Sequence, residues 1–308
     1  MQRPYVSSNA APAIEMGKPA LVTLLFLIGL LTAAGCVQGP REEARFSVSD
    51  SGALSLSCGE CTVSEDEATQ VSNISVSRVI LHTGSGDVYG LLTAPDDPVA
   101  GFVLAPGAGV RKEMHYNRSI SYARAGYAFL VLDLRGNGGE TTGYPFSIDR
   151  DFQRFREGDW PQYYLSICDL IHAGEYVKER YGIPVYAAGS SNGGRYAAIA
   201  TALDPVFSGY IGVSTSGSGL AGNQYSGDAR LFLLSIDPDL YMERISPKSS
   251  WIFHSRSDEI IPFEEGRALY NLSGEPRIFH EFPGSHGLCG EVDEKIIDEC
   301  AQIYGVRS

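Results

Sequence analysis

The sequence predicts an α/β protein: an eight-stranded, mostly parallel sheet flanked by helices, with no large cap domain. Short apolar runs recur without the polar alternation of a half-exposed strand, as expected for strands covered on both faces. From the third run onward, helical patterns separate them, which is the order of repeated strand–helix units. The 308 residues are 44% hydrophobic and 20% charged, which supplies a sizeable core and excludes disordered, collagen-like and coiled-coil chains.

In order, strands are expected at residues 77–81, 88–93, 101–105, 128–133, 184–188, 209–213, 251–253 and 277–282. The first two are joined by Thr83-Gly84-Ser85-Gly86, a tight hairpin link. Helices are expected over 114–125, 161–180, 193–203, 263–271 and 292–304. The interval 214–249 has room for a helix or two and no more. With 24 Lys and Arg against 37 Asp and Glu, the net charge of −13 argues against a nucleic-acid partner, because the cations that neutralise phosphates are lacking.

Ahead of this body, residues 20–34 are uncharged and apolar, too short for the roughly 20 residues of a membrane-spanning helix. Lys18 precedes them and small residues follow, so residues 1–35 read as a signal peptide, with a retained membrane anchor as the alternative. Ala33-Ala34-Gly35-Cys36 resembles the lipobox of lipoprotein signal peptides, with Ala33 where Leu is usual, and this implies lipidation at Cys36. The body is then exported and anchored to the outer face of the cell membrane. Met16-Gly17-Lys18 makes a second candidate start. Residues 36–74, rich in Ser, Glu and Asp, read as a polar tether with a short strand near 53–56, and 75–308 as the folded domain. The tripeptides that begin at Asn73, Asn117 and Asn271 are glycosylation acceptors compatible with an exported surface.

Export bears on the cysteines. Besides Cys36 there are Cys58, Cys61, Cys168, Cys289 and Cys300. Cys58-Gly-Glu-Cys61 lies in a polar stretch and not at a helix start after a strand, against a thioredoxin-like role, and one such pair cannot build a zinc site. A local Cys58–Cys61 disulfide is expected, with Cys289–Cys300 as a second pair and Cys168 as a buried thiol. No histidine pair stands at metal-ligand spacing, and neither metal nor cofactor is implied.

The chemistry is concentrated at strand ends. The strand at 184–188 runs into Gly189-Ser190-Ser191-Asn192-Gly193 and a helix follows, a G-x-S-x-G in strand–turn–helix context. The glycines remove side chains where strand and helix approach, and the helix N-terminus puts its positive end beside the Ser191 oxygen. Ser191 holds the nucleophile position, with Ser190 as the alternative. A base and an acid should follow in the order Ser, Asp/Glu, His. Asp258, in the loop after the seventh strand, suits the acid, with Glu259 as the alternative. His286, in the Gly-rich loop after the last strand, suits the base. His82, His115, His172, His254 and His280 lie on strand or helix patterns and read as structural. Pro106-Gly107-Ala108-Gly109 follows the third strand, and its Ala108 N–H, with that of Asn192, would form an oxyanion hole.

With these residues in place, the chain resembles the α/β hydrolases over 75–305, nearest to the dienelactone-hydrolase and prolyl-oligopeptidase-like branches. The resemblance rests on the 106–109 loop, Asp133-Leu-Arg-Gly136-Asn-Gly138, Gly189 to Gly193, His254 to Pro262 with Asp258 between, and Gly284-Ser-His286-Gly. It implies the fold, the Ser191/Asp258/His286 assignment and hydrolysis of an ester, thioester or amide through an acyl-enzyme. Pro106 stands where many esterases of this group have His, and no propeller-length segment precedes the hydrolase-like region. A small-molecule carboxylic ester is the expected substrate, ahead of a thioester. A small-peptide hydrolase and a catalytically silent surface-binding module are the alternatives, and the intact triad argues against the second. Two substrate features stay open. Tyr144, Phe146, Phe152, Phe155 and Trp160 either line an acyl pocket or form core under a long loop, and Arg111 and Lys112 either meet an anionic substrate or solvate a loop edge.

Overall fold

The computed structural model describes residues 44–305, so the signal segment and Cys36 lie outside the described residues. The chain opens with β1 (Arg45–Val48), β2 (Leu54–Ser57), β3 (Cys61–Glu65) and β4 (Thr69–Val71), followed by the hairpin β5 (Ile74–Thr83) and β6 (Gly86–Pro95). Next come β7 (Ala100–Ala105), α1 (Tyr116–Arg124), β8 (Tyr127–Leu132), α2 (Ile148–Glu157), α3 (Gln162–Tyr181), β9 (Val185–Ser190), α4 (Asn192–Leu203) and β10 (Phe207–Val213). The last part holds α5 (Gly227–Ser235), α6 (Met242–Ile245), β11 (Ser249–His254), α7 (Phe263–Asn271), β12 (Arg277–Glu281) and α8 (Gly290–Tyr304).

All eight expected strands form, as β5 to β12, in the order β12-β11-β10-β9-β7-β8-β6-β5. From β8 to β12 the neighbours are parallel, and β6 and β5 run antiparallel. The chain leaves β7 for β8 on one side and returns to β9 on the other. That reversal opens a crevice at the carboxyl ends of β7 and β9, where open α/β sheets bind ligands.

Every residue of β7, β8 and β9 is buried, and burial on both faces explains the unbroken apolar runs. Alternate residues still serve different layers. Val103, Leu130, Val185 and Ala187 pack with Tyr164, Ile167 and Leu170 of α3 and Ile199 of α4. Phe102, Phe129, Tyr186 and Trp251 pack with Tyr122 of α1 and Val292 and Ile296 of α8. Each fully buried large apolar side chain contributes roughly 1.5–3 kcal/mol. Between β10 and β11 lie only the short helices α5 and α6 and two single-turn 3₁₀ segments, Ala221–Gln224 and Pro238–Leu240, and no large cap is present.

Two expectations are corrected, and one alternative left open is decided. From Ala44 onward the expected tether is strand structure on the body. β1 pairs with β2, and both β3 and β4 pair with β5, extending the sheet to ten strands. Phe46 of β1 packs edge-on to Trp160 and Tyr164, at centroid distances of 5.3 and 5.2 Å. The insertion at 141–160 contains α2, capped by Ser147 and ended by the left-handed Gly158, with Asp149 and Asp151 in its first turn and Arg154 and Arg156 in its last. Phe152 and Phe155 of α2 meet Phe232 of α5 at 5.7 and 5.5 Å, so these two aromatics are core under a loop.

The cysteines are the second correction, for Cys168 is not a free thiol. Cys58 is bonded to Cys168 of α3, with Cα atoms 5.4 Å apart, and neither Cys58–Cys61 nor Cys289–Cys300 is formed. The link after β2 lies against α3, so Cys58 meets a residue 110 positions away in sequence. Cys61 begins β3 opposite Thr83. Burial, with Asp169 and Glu175 nearby, pushes its thiol up to about 12, so it stays protonated. Cys289 caps α8 and Cys300 lies near its far end, about 16 Å along the axis at 1.5 Å per residue, beyond disulfide reach.

The Cys58–Cys168 bond closes a long loop, and replacing both residues by Ser should lower the unfolding free energy by about 2–5 kcal/mol. Urea midpoints check the magnitude. A non-reducing peptide map that joins Cys58 to Cys61 would contradict the pairing.

Candidate active site

The site begins where β9 ends. Ser191 has φ 54° and ψ −123°, a left-handed conformation that costs a non-glycine residue about 1–3 kcal/mol. Its neighbours hold it there. A Cβ on Gly189 would lie 2.3 Å from the Gly193 carbonyl oxygen, and one on Gly193 would lie 2.1 Å from that of Ala105. Strand end, turn and helix start therefore pack backbone to backbone. The Ser191 N–H donates to the Val213 carbonyl at 3.0 Å, and Thr215 Oγ1 donates to the Ser191 carbonyl at 2.8 Å. Ser190 is the buried last residue of β9, while Ser191 is half-buried at the head of α4.

Asp258 and His286 come from the loops after β11 and β12. The Asp258 side chain is fully buried. Its Oδ1 accepts the N–H groups of Ile260 and Ile261, both at 2.9 Å, and its two oxygens face His286 Nδ1 at 3.0 and 2.9 Å. Burial alone would raise the carboxyl, but the bonds from Ile261, Ile260 and His286 outweigh it and hold it below the ordinary carboxylate range. An ionised carboxylate only accepts, so His286 carries a proton on Nδ1. Glu259 is exposed beside it.

The supports of this pair were not foreseen. Buried His254 donates from Nε2 to the Ile261 carbonyl at 3.0 Å and lies 3.5 Å from Asp258 Oδ2. Gly266 of α7 packs onto its ring, where a Cβ would come within 2.1 Å of Nδ1. Ser214 Oγ accepts the Gly287 N–H at 2.9 Å, and Ser255 bonds the Gly284 carbonyl, which fixes the His286 loop at both ends.

The 106–109 loop has its own clamp. Asn137 Nδ2 donates to the carbonyls of Gly107 and Val110 at 3.0 and 3.1 Å, and its Oδ1 accepts the Gly109 N–H at 3.2 Å. The Val110 N–H bonds the Gly107 carbonyl, so the N–H groups of Gly107 and Ala108 are the two in the loop that this clamp does not use. Asn192 is the first residue of α4, where an N–H lacks an intrahelical acceptor.

A cavity of about 460 Å³ brings Ser191, His286, Gly107 and Ala108 together, with His115 and Arg118 deeper and Val110, Leu288, Met114 and Ile260 as apolar wall. Met114 and Ile260 are 68% and 69% exposed and form its rim. None of Tyr144, Phe146, Phe152, Phe155 or Trp160 lines it. Lys112 is no substrate cation, because its buried ammonium bonds Asp133, Glu140 and Glu113 at 2.6, 2.6 and 2.7 Å. Arg111 is exposed, and the cation that lines the cavity is Arg118.

Solved structures with this architecture include acetyl xylan esterase 1 from Thermoanaerobacterium sp. JW/SL YS485, at TM-score 0.66 and 16% identity over 80% of this chain and 89% of that one. The acetyl xylan esterase from Paenibacillus sp. R4 aligns at TM-score 0.65 and 19% identity over 79% and 88%. The alpha/beta hydrolase GrgF from Penicillium sp. sh18 aligns at TM-score 0.53 and 15% identity over 79% and 98%. The fold is the α/β-hydrolase fold. No protein-family model and no curated protein sequence matches the chain. In this fold Ser191 occupies the turn after the strand next to β7, and Asp258 and His286 follow the last two strands.

Gly193→Ala should destabilise the α/β-hydrolase core by about 3 kcal/mol, since the new Cβ meets backbone that cannot turn aside. Thermal unfolding measures it. A second expectation concerns pH. The folded Asp258 carboxyl lies below its unfolded value of about 3.9, so its stabilisation is complete above that value and is lost as pH falls through the folded one. Asp258→Asn should flatten the fall in stability below about pH 4, as read from urea midpoints across the acid range.

Proposed function

We propose that the protein is a serine hydrolase that cleaves a carboxylic ester through an acyl-enzyme, with Ser191, His286 and Asp258 as its triad. One observation carries this reading: a serine in a left-handed turn shares a cavity with a histidine whose Nδ1 is bonded to a buried carboxylate. Each group has a distinct task. His286 Nε2 takes the Ser191 Oγ proton as Oγ attacks the ester carbonyl, and Asp258 stabilises the imidazolium that forms. The carbonyl oxygen becomes an oxyanion, received by the N–H groups of Ala108 and Asn192, each worth about 3 kcal/mol of barrier. His286 then gives its proton to the leaving alcohol. A water, deprotonated by the same imidazole, attacks the acyl-enzyme and frees the acid and Ser191.

Ester hydrolysis is supported further by the acetyl xylan esterases among the structural neighbours, and a small acyl group by the absence of a large cap. Export, with lipidation at Cys36, remains part of the proposal. A Cys58–Cys168 disulfide is in keeping with an oxidising compartment.

Fluorophosphonate labelling tests the nucleophile. Wild type should label at one site, and Ser191→Ala should lose both the label and at least about 10⁴-fold of kcat/KM on 4-nitrophenyl acetate. Equal labelling of Ser191→Ala would overturn the assignment. A graded series of 4-nitrophenyl esters should favour short acyl chains, and faster cleavage of amides than of esters would make the protein a peptidase instead.

A further inference from the structure

Among the pocket residues, His115 has no task in the triad. It ends the short turn Lys112–His115 that follows the 106–109 loop, is 7% exposed, and lines the cavity with Ser191 and His286. Its Nδ1 is in contact with Arg118 Nη1. A guanidinium only donates, so Nδ1 must accept, and the ring proton of the neutral imidazole sits on Nε2. Arg118 cannot turn away easily. Its Nε is held by both oxygens of Asp293 on α8, at 2.8 and 2.9 Å, and Tyr122 donates to the same carboxylate at 3.3 Å. Burial and the Arg118 charge push the imidazole down to about 4, which keeps it neutral at ordinary pH.

The result is a donor with a fixed tautomer and no partner. Among the described residues, nothing in the protein bonds His115 Nε2, although the atom is buried. Leaving a buried N–H unpaired is costly, so an acceptor supplied from the cavity is favoured. Ser190, Ser191 and His286 line the same cavity but do not bond this nitrogen, and Val110, Met114, Ile260 and Leu288 form the apolar part of the wall. Arg118 adds little net charge, since Asp293 neutralises it. The cavity thus sets a directed side-chain donor beside an apolar wall, a pattern that selects a ligand by the position of an acceptor.

We infer that His115 is a specificity-determining residue whose Nε2–H donates to a second, uncharged oxygen of the ester substrate, an ether, hydroxyl or carbonyl oxygen beyond the scissile group. This rests on the serine-hydrolase reading and narrows its substrates to oxygen-substituted esters. An alkyl substrate would give this donor no bond in return.

Two matched pairs of esters test this, each exchanging one methylene for oxygen. 4-Nitrophenyl methoxyacetate against the butanoate probes the acyl side, and 2-methoxyethyl acetate against butyl acetate probes the alcohol side. Ratios of kcat/KM are divided by the hydroxide-catalysed ratios of the same esters and taken per fluorophosphonate-labelled site. Wild type should prefer the oxygenated member of at least one pair by about tenfold, the worth of one hydrogen bond. His115→Leu should abolish the preference, and His115→Gln, which keeps an N–H donor, should retain most of it. Nitrogen-detected NMR of the wild type should find His115 protonated at Nε2. A corrected ratio near one in both pairs for wild type, a preference that survives His115→Leu, or a proton on Nδ1 each overturns the inference while hydrolysis by Ser191 stands. If wild type takes no label at Ser191, the hydrolase reading falls and the His115 role falls with it.

Discussion

The close approach of three backbone segments organises this protein. The end of β7, the turn after β9 and the first turn of α4 meet with no side chain between them, because Gly189 and Gly193 have none to place there. Every part of the candidate chemistry follows from that contact. It forces Ser191 into its left-handed conformation, lifts the hydroxyl clear of the strand, and sets the 106–109 loop beside it. The strain of about 1–3 kcal/mol persists because Val213 and Thr215 bond the turn from the neighbouring strand side. A local distortion is thus sustained by the parallel sheet as a whole.

Asp258 and His286 stand on loops, yet both loops are tied to the sheet at several points. Asp258 is gripped by two N–H groups of its own turn and flanked by His254, and His286 is held through Gly284 and Gly287 to Ser255 and Ser214. Ser214, itself left-handed, lies just past β10, so the base loop is registered to the same strand end that pins Ser191. Residues on three separate connections then keep one geometry without a cap to compress them.

The eight strands and the Ser191, Asp258 and His286 positions were legible because each depends on short sequence distances: an apolar run, a Gly-x-Ser-x-Gly turn, a polar loop after a strand. What escaped depends on long ones. Cys58 and Cys168 are 110 residues apart, and no spacing rule joins them. The strands at 45–71 alternate polar and apolar residues because they edge the sheet or lie beside it half-exposed, and such a pattern among Ser and Glu reads as tether. Asn137 sat in plain view in the segment after β8, but its three bonds reach back to another strand's loop. His115 read as structural, and only the contact with Arg118 shows which nitrogen holds its proton.

The charge balance takes a different meaning at the site than in the whole chain. A net charge of −13 spread over the surface would repel anionic substrates at long range, though salt screens it beyond about 10 Å. Near the cavity the two cations best placed to reverse that field are both spent: Lys112 on Asp133, Glu140 and Glu113, and Arg118 on Asp293. What remains facing Ser191 is an apolar wall, two imidazoles, of which His115 is held neutral, and backbone N–H groups. Such a surface gives an anion no compensation for its lost hydration, whereas an uncharged ester loses little on entering and gains charge only as the oxyanion forms. The site is therefore electrically matched to a neutral ligand, and the proposed ester cleavage would add negative charge only where the backbone N–H groups stand, the condition under which binding energy lowers the barrier and not merely the dissociation constant.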